Sequence, residues 1–349
     1  MKKELLIASA LVSTLGVASV ANAVTATMSG NHNTGLVGKD TDASSASDVV
    51  TQSVQSSFSV SLSETTDGGV GIATSFMLAN ESLTGLSTAG LTLTFTDGSK
   101  LDVINGGNAA GTHDVSVPGG AGEAGVSLTT ENRAQTGLDF FGEATAIGFE
   151  WHSASDFMAD GLKVSASISA DDGAAADGSV ELESSWGLGA TYVTSAGDTA
   201  VTIGTGLASS EWKDNAQEPS NGSNGFHIGF SAVTGDLTVA AGYASGDKVK
   251  TTPEVEIQDN TVSKVGVKYV AGDVTLSVGF TSAEGDDNTT LGAAGGSDDS
   301  QDITEAGVSY AVASGVTANL GWKDIDAKND GSNDTTGGSS WYVCASMAF

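Results

Sequence analysis

The chain has few of the residues that would cross-link it or give it a positive surface. Its 349 residues include 1 cysteine, 3 prolines and only 13 lysines and arginines together. The single Cys344 cannot form an internal disulfide, so disulfides do not stabilise the fold. Against 43 acidic residues, these bases leave a formal net charge of −30. Binding to nucleic acid is therefore not expected, because phosphate groups require Lys and Arg.

A long hydrophobic run is also missing once the N-terminus is set aside. A short basic start and an apolar stretch precede Ala21-Asn22-Ala23, which fits the cleavage pattern of a secretory signal. We interpret residues 1–23 as a signal peptide that is cut between Ala23 and Val24, and 24–349 as one mature domain. No later run reaches the about 18 apolar residues of a transmembrane helix. A secreted chain of this kind is soluble, attached to a surface, or a β-barrel.

Instead, apolar residues alternate with small or polar residues along most of the chain. Phe58, Val60 and Leu62 are separated by serines, and Val308, Tyr310 and Val312 follow the same period of two. No convincing helical period follows the signal peptide. Thr, Val, Gly and aromatic residues dominate, as strands prefer. Because 39% of the residues are hydrophobic, the chain has enough apolar surface to fold. The period of two predicts that the fold is all-β.

The connections alternate between short turns and long polar loops from about residue 180. The predicted short turns are 195–198, 234–236, 271–273 and 313–315, and the predicted long loops are 212–224, 246–260, 284–302 and 326–338. This order is typical of a transmembrane up-and-down barrel, whereas a sandwich with Greek-key crossings would break it.

Further connections complete the predicted topology. Turns are predicted at 65–69, 97–99 and, with unusual length, 153–160, and loops at 36–51, 80–90 and 171–180. Counting from a strand at 24–31 gives about sixteen strands, an even number within the range of membrane barrels. The predicted fold class is therefore a transmembrane up-and-down antiparallel β-barrel.

The last eleven residues show the most regular alternation. Trp341, Val343, Ala345, Met347 and Phe349 share one side of the strand, and the other side is small and mixed. An ordinary buried last strand would show the same pattern. The stretch also resembles the C-terminal signature of outer-membrane barrels, in which a terminal Phe is read by the barrel-assembly machinery. That resemblance implies that Trp341 and Phe349 form an assembly signal.

The hairpins at 56–76 and 307–322, together with Phe349, resemble the Gram-negative general diffusion porins, in particular the alphaproteobacterial type. The resemblance implies a homotrimer of 16-stranded barrels in the outer membrane that passes small hydrophilic solutes and ions. It also implies a long third loop folded into each barrel, which here is the connection at 106–143. A porin performs no chemistry, so the resemblance implies that the protein is not an enzyme.

The resemblance further suggests that acids on the third loop face bases on the barrel wall across the pore. The candidate acids of the constriction are Asp114, Glu123, Glu131, Asp139 and Glu143, and the candidate bases are Arg133, Lys163, Lys264, Lys268 and Lys323. Related porins carry a ladder of arginines, whereas Arg133 is the only arginine in this chain. We therefore expect a weakly basic wall and, from the acid excess, a preference for cations.

No cofactor or resident metal is predicted. The acidic stretch at 324–337 resembles a calcium loop, but Lys328 and Gly337 stand where oxygen ligands belong, so only loose binding of divalent cations by the outer loops is expected. The four histidines show no zinc spacing along the chain.

The sequence leaves one other class of function open. A secreted β-rich surface protein, such as an S-layer protein or an adhesin, would account for the low aromatic content of 6%.

Overall fold

The computed structural model describes most of the mature chain. The described residues are 24–41, 49–79, 90–103, 108–120, 148–170, 182–212, 221–251, 254–287, 298–329, 334–335 and 337–349. The predicted signal peptide and its cleavage residue Ala23 lie outside them, and Val24 comes directly before the first strand. None of the helices in these ranges is long and apolar enough to cross a membrane.

Strands make up nearly all of the described chain. They are β1 Thr25–Thr41, β2 Val49–Thr65, β3 Gly71–Ala79, β4 Leu91–Thr94, β5 Lys100–Val103, β6 Gly148–His152, β7 Leu162–Ala170, β8 Leu182–Ala196, β9 Thr199–Trp212, β10 Asn221–Thr234, β11 Leu237–Thr251, β12 Glu254–Ala271, β13 Val274–Asp287, β14 Asp298–Ala313, β15 Val316–Asn329, β16 Asp334–Thr335 and β17 Gly338–Ala348. In the described part of the connection between β5 and β6, residues 108–120, there is one 3₁₀ turn, at Gly111–His113.

The strands close into one antiparallel barrel. Each strand pairs with its neighbours in the sequence, and β1 pairs with both β2 and β17, which completes the ring. The two-residue β16 only extends the edge of β15, which itself pairs with β17. The barrel therefore has sixteen strands, as the alternation of turns and loops predicts, and it leaves no open sheet edge.

The period of two divides the wall into two faces. Large apolar side chains such as Leu188, Ile228 and Val278 are exposed on the outer face, at 50%, 50% and 56% of their surface. The alternate positions point inward and are small or polar, and many of them are buried, among them His227 and Asn260. An apolar exterior around a polar interior is the arrangement of a barrel that stands in lipid.

Two-residue turns join four pairs of strands at one end, from β8 to β15, whereas the turns after β2, β4 and β6 at the same end are longer. Gly197, Gly235 and Gly272 open three of these turns with φ of +63°, +55° and +62°. Among the described non-glycine residues only Asp156 and Met158 have positive φ, so the Asp that follows each glycine does not. A positive φ at the first central residue alone is the type II′ pattern, which suits the twist of a hairpin. The long turn after β6, where Asp156 and Met158 lie, is also observed.

The strands extend beyond the predicted boundaries at the other end. The predicted loops at 36–51 and 246–260 are wrong in extent, because β1 continues to Thr41, β2 begins at Val49, and β11 and β12 leave only 252–253 between them. The predicted loops at 284–302 and 326–338 are shortened in the same way. Hydrophobic alternation reports only the part of a strand that faces lipid, whereas backbone pairing continues into polar sequence.

The last strand closes the barrel against the first. The Phe349 backbone N–H donates to the Gly30 carbonyl, and the Gly30 N–H donates to the Phe349 carbonyl, both at 3.1 Å. Trp341 stands opposite Gly38 in the register. Both aromatic rings use the space that these glycines leave on the outer face, since a Cβ on Gly30 would lie 2.6 Å from Phe349 Cζ. We call β17, β1 and β2 the closing seam.

Candidate functional site: the lumen and its inserted segment

Residues 108–120, here called the inserted segment, lie inside the barrel. They follow β5 and contain the 3₁₀ turn Gly111–His113. Their contacts are with inward-facing positions of successive strands, from Glu150 on β6 to Glu305 on β14. The segment therefore runs along the inner wall across about half of the circumference.

The segment is attached at its start to β7 and β6. The Ala109 N–H donates to Ser167 Oγ at 2.9 Å, and the Thr112 hydroxyl donates to Glu150 Oε1 at 2.7 Å. Glu150 is only 4% exposed and projects from the short strand β6. A hydrogen bond to a charged group is stronger than one between neutral groups, so Thr112 is a firm attachment.

His113 is the second attachment. Its ring nitrogens hydrogen-bond to hydroxyl groups, Nδ1 with Thr191 at 2.6 Å and Nε2 with Ser165 at 2.7 Å. Burial lowers the pKa of His113 to about 4, and the positive charges of His152, His227 and Lys163 act in the same direction. His113 is therefore neutral near pH 7, and each ring nitrogen has a hydroxyl partner that can donate or accept.

His227 on β10 holds the segment from the opposite side of the 3₁₀ turn. Its Nε2–H donates to the Ala110 carbonyl at 2.7 Å, and its Nδ1 lies 3.8 Å from Asp114 Oδ1. The ring is 2% exposed. This one side chain thus contacts both the backbone of the segment and the acid that follows the turn.

Glycines on the inner face allow the segment to lie against the wall. A Cβ on Gly204 or Gly266 would overlap the carbonyl oxygen of His113 or Pro118, and one on Gly229 would lie 2.6 Å from Val115 Cβ. The inner-face glycines of this contact, here called the glycine track, are Gly187, Gly189, Gly204, Gly206, Gly229, Gly266 and Gly279. Only a residue without a side chain permits such a close approach of two backbones.

The far end of the segment meets a charged pair. Gly119 and Gly120 pack against the Glu305 carboxylate, since a Cβ on either would contact its oxygens. Glu305 stands directly opposite Lys323, and their charged groups are 3.8 Å apart. Glu305 therefore partly neutralises Lys323, one of the predicted wall bases.

The other predicted residues of the pore divide into four groups. Asp114 and Lys264 line one small cleft together with His227, so one predicted acid and one predicted base border the same space. Lys268 occupies an inward position of β12 nearer the short turns. The predicted residues that lie outside the described chain are Glu123, Glu131, Arg133, Asp139 and Glu143.

Lys163 lies apart from that cleft, in a larger cavity nearer the short turns. The cavity has a volume of about 640 Å³ and is also lined by His113, His152, Asp102 and Lys100. None of these four was among the predicted site residues. For Lys100, Asp102 and His152, the inward direction follows from the alternation along β5 and β6, since Asp102, for example, lies between the apolar Leu101 and Val103. That these side chains come together depends on the register of the strands.

Among curated protein sequences none matches this chain. The model of the Gram-negative porin family matches residues 8–342, and the chain belongs to that family. It is therefore a porin of the bacterial outer membrane.

Several solved outer-membrane proteins share the fold at low sequence identity. OmpF of Salmonella typhi, in a complex with daunomycin, superposes with a TM-score of 0.68 at 13% identity and covers 93% of this chain and 98% of its own. An anion-selective porin from Comamonas acidovorans gives 0.66 at 11% identity, covering 93% and 100%. The trimer form of in-vitro folded OmpT from Vibrio cholerae gives 0.66 at 14%, covering 94% and 100%.

Proposed function

We propose that the protein is a passive channel that prefers cations and passes small hydrophilic solutes and ions without chemistry. The observation that carries the proposal is the closed barrel with an apolar exterior, a polar lumen and a segment that lies along the inner wall of that lumen. Such a segment narrows the path, so that size and charge decide what passes. The same features favour a channel over a secreted surface protein, which has no need of an apolar belt.

The preference for cations rests on charge. The chain has 43 acidic residues against 13 bases. Exposed acids stand at the long-loop ends of the strands, among them Asp259, Glu284 and Asp326, and Asp114 stands on the inserted segment. A rim of carboxylates raises the local concentration of cations and repels anions.

The wall lysines act against this preference to a limited extent. Lys323 is paired with Glu305, and Lys264 shares its cleft with Asp114, so two of the described bases stand beside an acid. The barrel itself does not decide the matter, because a similar fold serves an anion-selective porin. Selectivity follows from the balance of charged side chains, which in this chain is acidic.

A salt gradient across a planar bilayer tests the function. We expect stepwise openings from the folded protein and a reversal potential with the sign of cation preference. Heat-denatured protein from the same preparation is the control and should give no steps. A silent bilayer from protein shown to be folded would refute the channel, and a reversal potential of the opposite sign would refute the cation preference alone.

Assembly as a homotrimer is the second part of the proposal, with support from the trimer form of a porin of similar fold. Part of the outer face of β1 and β2 is also small and polar, because Gly30, His32, Thr34 and Ser56 occupy lipid-facing positions there and His32 Nδ1 hydrogen-bonds Ser56 Oγ at 2.8 Å. A small, polar patch of this kind suits contact with another copy better than contact with lipid. Light scattering of the detergent-solubilised protein measures the mass directly.

Two minor expectations complete the proposal. Trp341 and Phe349, exposed on the outer face of the last strand, are proposed to be read by the barrel-assembly machinery. Loose binding of divalent cations is proposed for the acidic outer loops, because carboxylate oxygens are the ligands that Ca²⁺ and Mg²⁺ prefer.

A further inference from the structure

Three inward-facing side chains at the start of the inserted segment converge on one point. Asp102 on β5 stands directly opposite Glu150 on β6, and His152 follows two residues later on the same face of β6. Their outer neighbours Leu101 and Trp151 mark the opposite face of the sheet. One ligand atom from each of the three side chains lies within 4.8 Å of the other two.

The distances place one nitrogen against two carboxylates. His152 Nε2 is 3.0 Å from Asp102 Oδ2 and 3.7 Å from Glu150 Oε1. Hydroxyl groups hold both carboxylates in place, since Thr92 donates to Asp102 Oδ1 and Thr112 donates to Glu150 Oε1. Oriented ligands with hydrogen-bonded outer partners are the usual construction of a metal site.

Electrostatics favours a cation at this point. Two carboxylates directly opposite each other on paired strands repel, and Glu150 is 4% exposed, so water does not screen it well. Within the described chain, the ion pairs of Asp102 and Glu150 are with His152, and that ring carries a charge only when protonated.

The hydrogen bonds that begin at His152 Nδ1 can all be kept when Nε2 of the same ring binds a metal ion. His152 Nδ1 is 2.9 Å from Ser165 Oγ, Ser165 is bonded to His113 Nε2, and His113 Nδ1 is bonded to Thr191. Every link of this chain contains a hydroxyl that can donate or accept. If the His152 proton moves from Nε2 to Nδ1, each bond reverses its direction and none is broken. The lone pair of Nε2 is then available to a metal ion.

We propose that Asp102, Glu150 and His152 form a binding site for a divalent transition metal of the zinc type. One imidazole nitrogen and two carboxylate oxygens are ligands that Zn²⁺ accepts, whereas Ca²⁺ and Mg²⁺ take oxygen alone. The adjoining cavity of about 640 Å³ leaves room for water in the remaining coordination positions and gives access from the periplasmic side. Lys100 and Lys163 line that cavity and, as positive charges, moderate the affinity.

The site extends the function of the lumen beyond passive diffusion and does not depend on the ion preference of the pore. Thr112 joins Glu150 to the inserted segment, so a metal ion bound here strengthens one attachment of that segment. A ligand that binds only the folded form also stabilises it by mass action.

Isothermal titration of folded protein without a histidine tag with ZnCl₂ tests the proposal. A large excess of MgCl₂ throughout occupies the acidic outer loops, which carry oxygen ligands alone. We expect one saturable Zn²⁺ site per chain. His152→Ala, Asp102→Asn and Glu150→Gln should each weaken it by at least about tenfold, a loss typical even of supporting residues.

The controls separate loss of ligand from loss of fold. The two amide variants keep the shape of the side chain, and heat-dependent gel mobility shows whether each variant is folded. His32→Ala removes a histidine from the outer face and should leave Zn²⁺ binding unchanged. No saturable Zn²⁺ binding by the wild type, or equal binding by folded His152→Ala, would overturn the proposal. Either result would leave the conductance experiment unaffected, so the two proposals fail separately.

Discussion

The glycine track and the closing seam use the same residue on opposite faces of the barrel. Along the track, Gly204 and Gly266 point inward and let the inserted segment lie against the wall, while large apolar residues cover the outside. At the seam, Gly30 and Gly38 point outward and make room for Phe349 and Trp341. The inner side of the seam is instead filled by Val37, Tyr342 and Cys344.

The difference shows that the role of a glycine depends on which face of the barrel wall it occupies. An inward glycine brings a second piece of backbone into the lumen and so shapes the path of the solute. An outward glycine admits an aromatic ring of the neighbouring strand and so supports closure. We therefore expect inner-face substitutions to alter conduction and outer-face substitutions to alter assembly.

The largest effect is expected from Gly266→Ala. A Cβ at this position would overlap the Pro118 carbonyl, so the inserted segment must move. Overpacking of this kind costs about 1–3 kcal/mol. We expect a changed single-channel conductance and a lower temperature of heat modification on gels.

Gly242→Ala is the matched control for Gly266→Ala. Gly242 lies on the inner face of β11, but its nearest contact would be Val117 Cγ2 at 3.7 Å, which is an ordinary distance. We expect wild-type conductance. Equal effects of the two substitutions would mean that contact with the segment is not what the inner glycines provide.

The second effect is expected at the seam, from Gly30→Ala. A Cβ there would lie 2.6 Å from Phe349 Cζ and 2.8 Å from the Ser57 carbonyl oxygen. We expect a lower yield of folded barrel in refolding experiments, but a normal conductance from the molecules that fold. Gly71→Ala, whose nearest contact is Thr94 Cβ at 3.4 Å, should refold normally. An altered conductance with a normal yield would contradict the division between seam and track.

A third and smaller effect concerns the pH dependence of the attachment of the inserted segment to the barrel wall. The docked segment favours neutral His113, whose pKa is lowered from 6.5 to about 4 by burial and by the charges of His152, His227 and Lys163. This contribution to docking is present above pH 6.5 and is lost as the pH falls towards about 4. We expect the noise of the open-channel current to rise over this interval.

His113→Asn removes the titration and keeps a polar side chain. The increase in current noise on acidification should then be reduced. His32→Asn is the control, because His32 lies on the outer face and should leave the pH dependence intact. An unchanged pH dependence in His113→Asn would assign the effect to another group.

The smallest effect is expected from Asp114→Asn. Asp114 is the described acid of the inserted segment, and it shares a cleft with Lys264. One unit charge acts on an ion with about 1 kcal/mol at 4 Å in water, so the permeability ratio should fall by less than about fivefold. The reversal potential in a salt gradient measures it. The paired change Lys264→Gln should shift the potential the other way.

Glu123→Gln with Glu131→Gln tests the rest of the third loop. If these acids line the narrow part of the pore, the cation preference should weaken further than in Asp114→Asn. An unchanged reversal potential would place them away from the path of the current.

Much of the barrel follows from local sequence. The period of two at Phe58, Val60 and Leu62 predicts strands, and the Gly-Asp pairs such as Gly235-Asp236 predict the turns between them. The ends of the strands near the long loops do not follow, because polar residues such as Asp259 remain paired there without facing lipid. Hydrophobic alternation indicates which residues face lipid, but it does not indicate how far the backbone hydrogen bonds between strands continue.

The lumen is only partly predictable. The inward direction of Lys163 and Lys264 follows from parity, and so does that of Glu305. The meeting of Asp102 with Glu150 and His152, or of Ala110 with His227, depends on contacts between residues 48 to 117 positions apart. The spacing of the histidines along the chain therefore predicts no site. In the structure His113 belongs to the inserted segment, His227 contacts it, and His152 contacts the acids beside it.

The sequence by itself determined the all-β class, the two faces of each strand and the excess of negative charge, because each of these is a property of residue type and of a period of two. The tertiary structure decided which inward residues meet, since register and barrel closure bring distant strands together. It also decided the path of residues 108–120, because that path depends on inner-face glycines of β8, β9, β10, β12 and β13, which lie far from the segment in the sequence.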